Sequence, residues 1–148
     1  MLRSVLMGLV AGQRSMTPLA ALSMAARRGE LPEDAPAQDL LAHPAVALGA
    51  VALALGELAG DKMASAPDRI ILPGLVARTV TAGFAGAVLA PPDRRAEGAV
   101  LAAATALAAS YVGFGLRVRA MRRYGQVPTG LVEDAVVVAS GLAIAGRR

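Results

Sequence analysis

Residues 98–116, GAVLAAATALAASYVGFGL, carry no charged residue. As an α-helix rising about 1.5 Å per residue, the stretch reaches roughly 28 Å, close to the ~30 Å hydrocarbon core of a bilayer. It predicts one membrane-spanning helix, and its neighbours extend the pattern. His43 to Ala59 (HPAVALGAVALALGELA) is apolar up to Glu57, and Pro44 suits a first helical position. Ile70 to Ala90 (IILPGLVARTVTAGFAGAVLA) carries Arg78 inside it and is closed by Pro91 and Pro92. A last apolar segment, from about Pro128 to Gly146, holds Glu133 and Asp134 near its start and is anchored by Arg147 and Arg148.

The N-terminal stretch from Leu2 to Ala26 reads two ways. LRSVLMGLVAG and SMTPLAALSMAA are each about half a span, and Gln13-Arg14 separates them. One arrangement is a long helix with a polar centre and a kink near Pro18. The other is a broken or re-entrant element whose tip holds Arg14. A cleaved signal peptide is disfavoured because Arg14 would lie inside its apolar core. The expected fold is therefore all-α: a polytopic membrane helical bundle of about five segments, forming a single domain over residues 1–148.

Composition agrees with this class. Of 148 residues 55% are hydrophobic and 18% charged, and the mean hydropathy is +0.54. A net charge of +4 would suit a polyanionic partner, but aromatics make up only 3% and the basic residues sit in short clusters between apolar runs, so nucleic acid is excluded. There is no cysteine and His43 is the single histidine, which removes disulfides, thiolate metal sites, thiol nucleophiles and any histidine cluster. No metal site, cofactor or recognisable catalytic motif is predicted. If all five segments span, seven basic residues fall on one side and six on the other, so the positive-inside rule sets no orientation.

In lipid, apolar helices associate where small residues let backbones approach, and Gly8/Gly12, Gly56/Gly60 and Gly83/Gly86 supply such positions. They predict a tightly packed bundle, a compact monomer or a homo-oligomer sharing these faces, in preference to a wide channel; a homo-oligomer is the expected partner state. Charges at membrane depth cost about 2.5–3.5 kcal/mol each on insertion scales, so each needs a partner or a wet cavity. Arg14 is the deepest, followed by Ser15, Met16, Thr17 and Pro18. Glu57 and Asp61, spaced i,i+4, share one helix face at the C-terminal end, where the dipole disfavours anions and a cation should compensate. Lys62, Arg69, Arg78 and Arg14 are the available partners, and Arg78 is expected to pair with Glu57 or with Glu133/Asp134. Glu133 and Asp134 are expected in the first turns of their helix, where acids are favoured. The candidate binding residues are thus Arg14, Thr17, Glu57, Asp61, Arg78, Glu133 and Asp134, supported by Lys62 and Arg69.

Three groups of residues carry a family resemblance: Ala11-Gly12-Gln13-Arg14-Ser15-Met16-Thr17-Pro18-Leu19; Gly56-Glu57-Leu58-Ala59-Gly60-Asp61-Lys62; and Pro67-Asp68-Arg69 with Pro73, Arg78 and Glu133-Asp134. Together they resemble the bacterial integral membrane family catalogued as domain of unknown function 4126. The resemblance implies a small multi-pass protein of the bacterial cytoplasmic membrane and brings no established activity. It groups Arg14, Glu57, Asp61, Lys62, Arg69 and Arg78 as one constellation and leaves the Arg117–Arg123 cluster outside it. Three functions follow as expectations: a transporter or channel-like protein moving a small solute or ion through this polar site; a scaffold or accessory subunit whose buried ion pairs only fix helix packing; and a membrane enzyme acting on a lipid. An enzyme has the least support of the three.

Overall fold

The computed structural model describes residues 1–63 and 70–146, and every regular element among them is helical. The first apolar segment is not one helix. α1 (Leu2–Gln13) ends where Arg14 turns to extended backbone (φ −141°, ψ 114°), and α2 (Thr17–Arg27) begins with Pro18 in its first turn. Proline dictates the break. A helix running through Pro18 would drive its ring against the carbonyl of Arg14, four residues earlier, whereas in a first turn its missing N–H forfeits nothing.

Side-chain contacts fix the directions of the two halves. Arg3 donates to the carbonyls of Ile144 (3.0 Å) and Ala145 (2.9 Å), while Arg14 reaches Asp134, so α1 runs antiparallel to α7 (Gln126–Ala145). α2 then returns. A methyl group at Gly141 would touch both Val10 and Ala21, and beyond α2 the Glu30 carboxylate lies beside Gly146. Of the two arrangements open in the sequence, the structure has the broken element, a helical hairpin with Arg14 at its tip.

Four longer helices surround the hairpin. α4 (Pro44–Gly60) runs antiparallel to α2, with Ala50 and Ala54 against Ala20. α5 (Leu72–Leu89), α6 (Arg95–Tyr124) and α7 follow, each antiparallel to the one before. A short α3 (Gln38–Ala42) precedes α4, whose N-terminus is capped by His43 accepting from the Ala45 amide. One end of the bundle therefore gathers Arg3, the α2–α4 connection, Pro92 and Gly146, and the other gathers the α4–α5 and α6–α7 connections.

Two boundaries differ from expectation. α6 continues through Tyr124, so Arg117 to Arg123 form its last turns instead of a loop. α7 begins at Gln126 instead of Pro128, which puts Glu133 and Asp134 in its third turn, beyond the reach of the N-terminal dipole that was expected to favour them. The acidic stretch after Arg27 is also more than a connection, because Leu31, Ala35 and Leu41 are buried in the main core with Met7 and Leu22.

The packing inverts that of a water-soluble domain. Ala, Gly and Ser fill the interior, while Leu48, Leu53, Leu72, Val100, Val112 and Val132 point outward. α1 lies on α6 so closely that a Cβ on Gly8 would sit 2.5 Å from the Ala102 carbonyl oxygen, and one on Gly12 would sit 2.6 Å from Ala109 Cβ. Gly86 and Gly98 meet at the α5–α6 contact, bridged to α1 by Ser4 Oγ donating to the Gly86 carbonyl at 3.0 Å. The Gly56/Gly60 pair, by contrast, meets nothing within 4 Å among the described residues. Among the described residues, three helices are long and apolar enough to cross a membrane, Leu72–Leu89, Pro92–Tyr124 and Gln126–Ala145, while Pro44–Gly60 is apolar but shorter.

Candidate functional site

The tip of the hairpin meets the far ends of α4, α6 and α7 in a cluster of charges. Six of them alternate in sign: Lys62, Asp134, Arg14, Asp61, Arg117, Glu133. Arg14 is at the centre. Its Nε (2.9 Å) and Nη2 (2.5 Å) both donate to Asp134 Oδ1, its Nη2 also donates to Asp61 Oδ2 at 2.8 Å, and its Nη1 donates to the Gln13 carbonyl at 3.3 Å. Lys62 Nζ donates to the other oxygen of Asp134 and, at 2.9 Å, to the Leu58 carbonyl. Arg117 extends the chain outward: its Nη1 lies 2.5 Å from Asp61 Oδ2 and 2.9 Å from Glu133 Oε2, and its Nη2 donates to the Asp61 carbonyl at 3.2 Å.

Glu57 is satisfied differently. Its Oε1 accepts from the Ser15 amide (2.8 Å) and hydroxyl (3.0 Å), and its Oε2 accepts from the Met16 amide at 2.9 Å. The carboxylate thus caps the N-terminus of α2, where unpaired amides and the helix dipole favour an anion. The expectation that a cation compensates Glu57 was incomplete: the hairpin break supplies amide donors that a continuous helix would have consumed. The same break gives α1 a C-terminus, and Arg14 sits there, at the end that favours cations.

The cluster brings together most of the residues predicted for it. Arg14, Glu57, Asp61, Lys62, Glu133 and Asp134 are all within it, and both adjacent carboxylates of α7 face inward. Arg78 is buried on α5, within Coulomb range of Glu57, Asp61 and Glu133. The hydrogen bonds of Glu57 to the Ser15 and Met16 amides and the pairs of Asp134 with Arg14 and Lys62 modify the expected Arg78 pairing, because those carboxylates are engaged by nearer donors. Thr17 opens α2, where it is buried, and its hydroxyl has no hydrogen-bond partner. Arg69, with Pro67 and Asp68, lies outside the described residues. Counted over those described, Arg14, Lys62, Arg78 and Arg117 balance Glu57, Asp61, Glu133 and Asp134.

Arg117 is the member that sequence reasoning missed. Its signal is the stripe Gly98, Ala102, Ala106, Ser110, Gly113, the face of α6 that packs on α1. Continued by one turn at helical spacing, that stripe reaches Arg117, which is buried. Its place immediately after the charge-free run, at the head of the basic cluster 117–123, made it look like an interfacial anchor. Among the described residues no group of three or more His, Asp or Glu side chains is arranged to hold a metal ion. At the opposite end of the bundle Arg94 Nε donates to the exposed Glu97 Oε2 at 2.7 Å.

No protein-family model, curated protein or solved structure matches this chain.

Proposed function

We propose that this chain is a multi-pass protein of a cell membrane that moves a small solute or ion past the tip of the re-entrant hairpin. In this reading α4, α5, α6 and α7 cross the bilayer, and α1–α2 enters and leaves on one side. The observation that carries it is the helix break at the charge cluster. Non-helical backbone at membrane depth is tolerated where it is buried in protein or lines a cavity, and half-helix ends are what discontinuous helices of transporters turn toward their cargo. A bundle that needed only stability would do as well without the charges, since buried ion pairs are often matched or exceeded by apolar residues of similar volume.

Purified protein in liposomes tests the proposal, with flux of protons and of a panel of small solutes as the readout. Glu57→Gln, which keeps the shape of the α2 cap but removes its charge, and Arg14→Ala are expected to slow the wild-type flux severely. If both variants fold normally and leave every measured flux unchanged, the transport reading fails. The scaffold reading has one specific observation in its favour: each nitrogen of the Arg14 guanidinium already has an acceptor. Under that reading the same variants lower thermal stability without any flux to lose.

A further inference from the structure

α6 is longer than the hydrocarbon it would cross. Its 30 residues make about 45 Å of helix against roughly 30 Å, so in the proposed arrangement its last turns stand beyond the apolar layer. Arg117 turns inward to Asp61 and Glu133, while Arg119, Arg122 and Arg123 are exposed. Val112, Leu116, Arg119 and Arg123 fall at i, i+4, i+7 and i+11 on one face of the helix, and the first two are 63% and 59% exposed. A single outward stripe therefore passes from aliphatic to cationic within one turn.

Arg119, Arg122 and Arg123 form no ion pair among the described residues, and Arg123 lies over the Tyr124 ring at 5.5 Å. The described acids at this end face inward: Glu57 caps α2, Asp134 holds Arg14 and Lys62, and Asp61 and Glu133 hold Arg117. Residues 64–69, outside those described, add one acid and one base to the sequence count, Asp68 and Arg69. Spacings of three and four residues put Arg122 and Arg123 beside Arg119, like charges that repel. The dipole of the helix C-terminus favours cations in the last turn, but Arg119 lies before it. The opposite end of α6 is mixed in sign: Arg94 pairs with Glu97 and Arg95 with Asp34. A bound anion would relieve repulsion at one end of the helix and not at the other.

We infer that the far end of α6 docks the headgroup of an anionic phospholipid, its phosphate held by Arg119 and Arg123 with Arg122 beside them, and its acyl chain lying along Leu116 and Val112. Arginine suits a phosphate because its planar guanidinium presents paired donors to it. A zwitterionic headgroup fits poorly, since its ammonium would enter the field of three guanidiniums. The aliphatic half of the stripe favours a lipid over free phosphate. The inference rests on α6 crossing the bilayer and is independent of transport.

The chain has no tryptophan, so a single introduced indole reports which lipid lies beside it. Leu116→Trp places one next to the arginines, and Val100→Trp places a control toward the other end of α6, at a position 68% exposed in the native chain. The full chain is reconstituted into mixed vesicles of phosphatidylcholine and phosphatidylglycerol with one or the other lipid brominated, and quenching gives their relative affinity at each indole. Phosphatidylglycerol is expected to be preferred at least about fivefold at Leu116→Trp, the effect of about one arginine near a membrane surface, and to show no preference at Val100→Trp. Adding Arg119→Gln, Arg122→Gln and Arg123→Gln to the Leu116→Trp chain is expected to abolish the preference, and inorganic phosphate at matched ionic strength is expected to leave it unchanged. Equal quenching by the two lipids at Leu116→Trp, the same preference at Val100→Trp, or survival of the preference in the triple arginine variant overturns the inference. Loss of the preference to inorganic phosphate overturns it as well, by assigning the arginines to a soluble anion. Lipid preference without flux in liposomes removes the transport reading and leaves this surface standing, and flux without lipid preference does the reverse.

Discussion

Replacing Arg14 by methionine removes the positive centre of the cluster and leaves Asp61 and Asp134 facing each other. Arg14 is 1% exposed and its two carboxylate partners are 14% and 11% exposed, so little solvent screening intervenes. Breaking a buried pair from one side costs about 3–5 kcal/mol, against a total stability of about 5–15 kcal/mol for a domain. For a chain of this length that corresponds to a fall in Tm of roughly 10 °C. Asp134→Asn, which leaves Arg14 and Lys62 short of one carboxylate, is expected to cost a similar amount. The double variant Arg14→Met/Asp134→Asn restores charge balance, since Lys62, Arg78 and Arg117 then face Glu57, Asp61 and Glu133. It is expected to be no less stable than either single variant, a coupling of about 3 kcal/mol or more. Thermal unfolding in detergent followed by circular dichroism measures all three. Additive losses in the double variant would refute the claim that electroneutrality governs this site.

Three further outcomes follow from the geometry. Gly8→Val places atoms against the Ala102 carbonyl and is expected to cost about 1–3 kcal/mol, whereas Gly56→Ala meets open space and is expected to leave the monomer's stability within about 0.5 kcal/mol; melting curves of the two variants separate them. Ser15→Ala removes one of the three donors to Glu57 and is expected to lower stability by about 1 kcal/mol, with Glu57→Ala losing more because both amides at the α2 terminus are then orphaned. Because the chain has no cysteine, single cysteines introduced at Asp34, Gly146 and Arg122 report topology: an impermeant thiol reagent is expected to reach Asp34→Cys and Gly146→Cys from one face of the membrane and Arg122→Cys from the other. Labelling of Asp34→Cys and Arg122→Cys from the same face would contradict the three proposed crossings by α4, α5 and α6.

Much of the helical layout was legible in the sequence because length and apolar runs are local properties. The run from Gly98 to Leu116 and the Pro91-Pro92 stop lie in α6 and at the end of α5, as their chemistry requires. The choice between a kinked and a re-entrant first segment was not legible. Pro18 fixes that the helix breaks, but the direction taken afterwards depends on Gly141 accepting both Val10 and Ala21, a contact between residues far apart in the chain. The site was legible in its members and illegible in its pairings. Charges in apolar runs announced Arg14, Glu57 and Asp134, yet which partner each takes is set by helix rotation, and the amide cap on Glu57 exists only because the hairpin breaks where it does.

The depth of the hairpin links these observations. In the proposed arrangement α1, with 12 residues and about 18 Å of helix, puts its tip near the middle of a ~30 Å hydrocarbon core. Burial falls on the guanidiniums: Arg14 is 1% exposed and Arg117 6%, against 11% for Asp134, 14% for Asp61, 17% for Glu133 and 22% for Lys62. The least hydrated charges of the chain of ion pairs are therefore the two arginines that each bridge a pair of carboxylates, Arg14 between Asp134 and Asp61 and Arg117 between Asp61 and Glu133. Breaking a buried pair from one side costs about 3–5 kcal/mol, so Asp61, shared by both arginines, ties the ends of α1, α4 and α6 together, and Asp134 and Glu133 add α7 to the same unit.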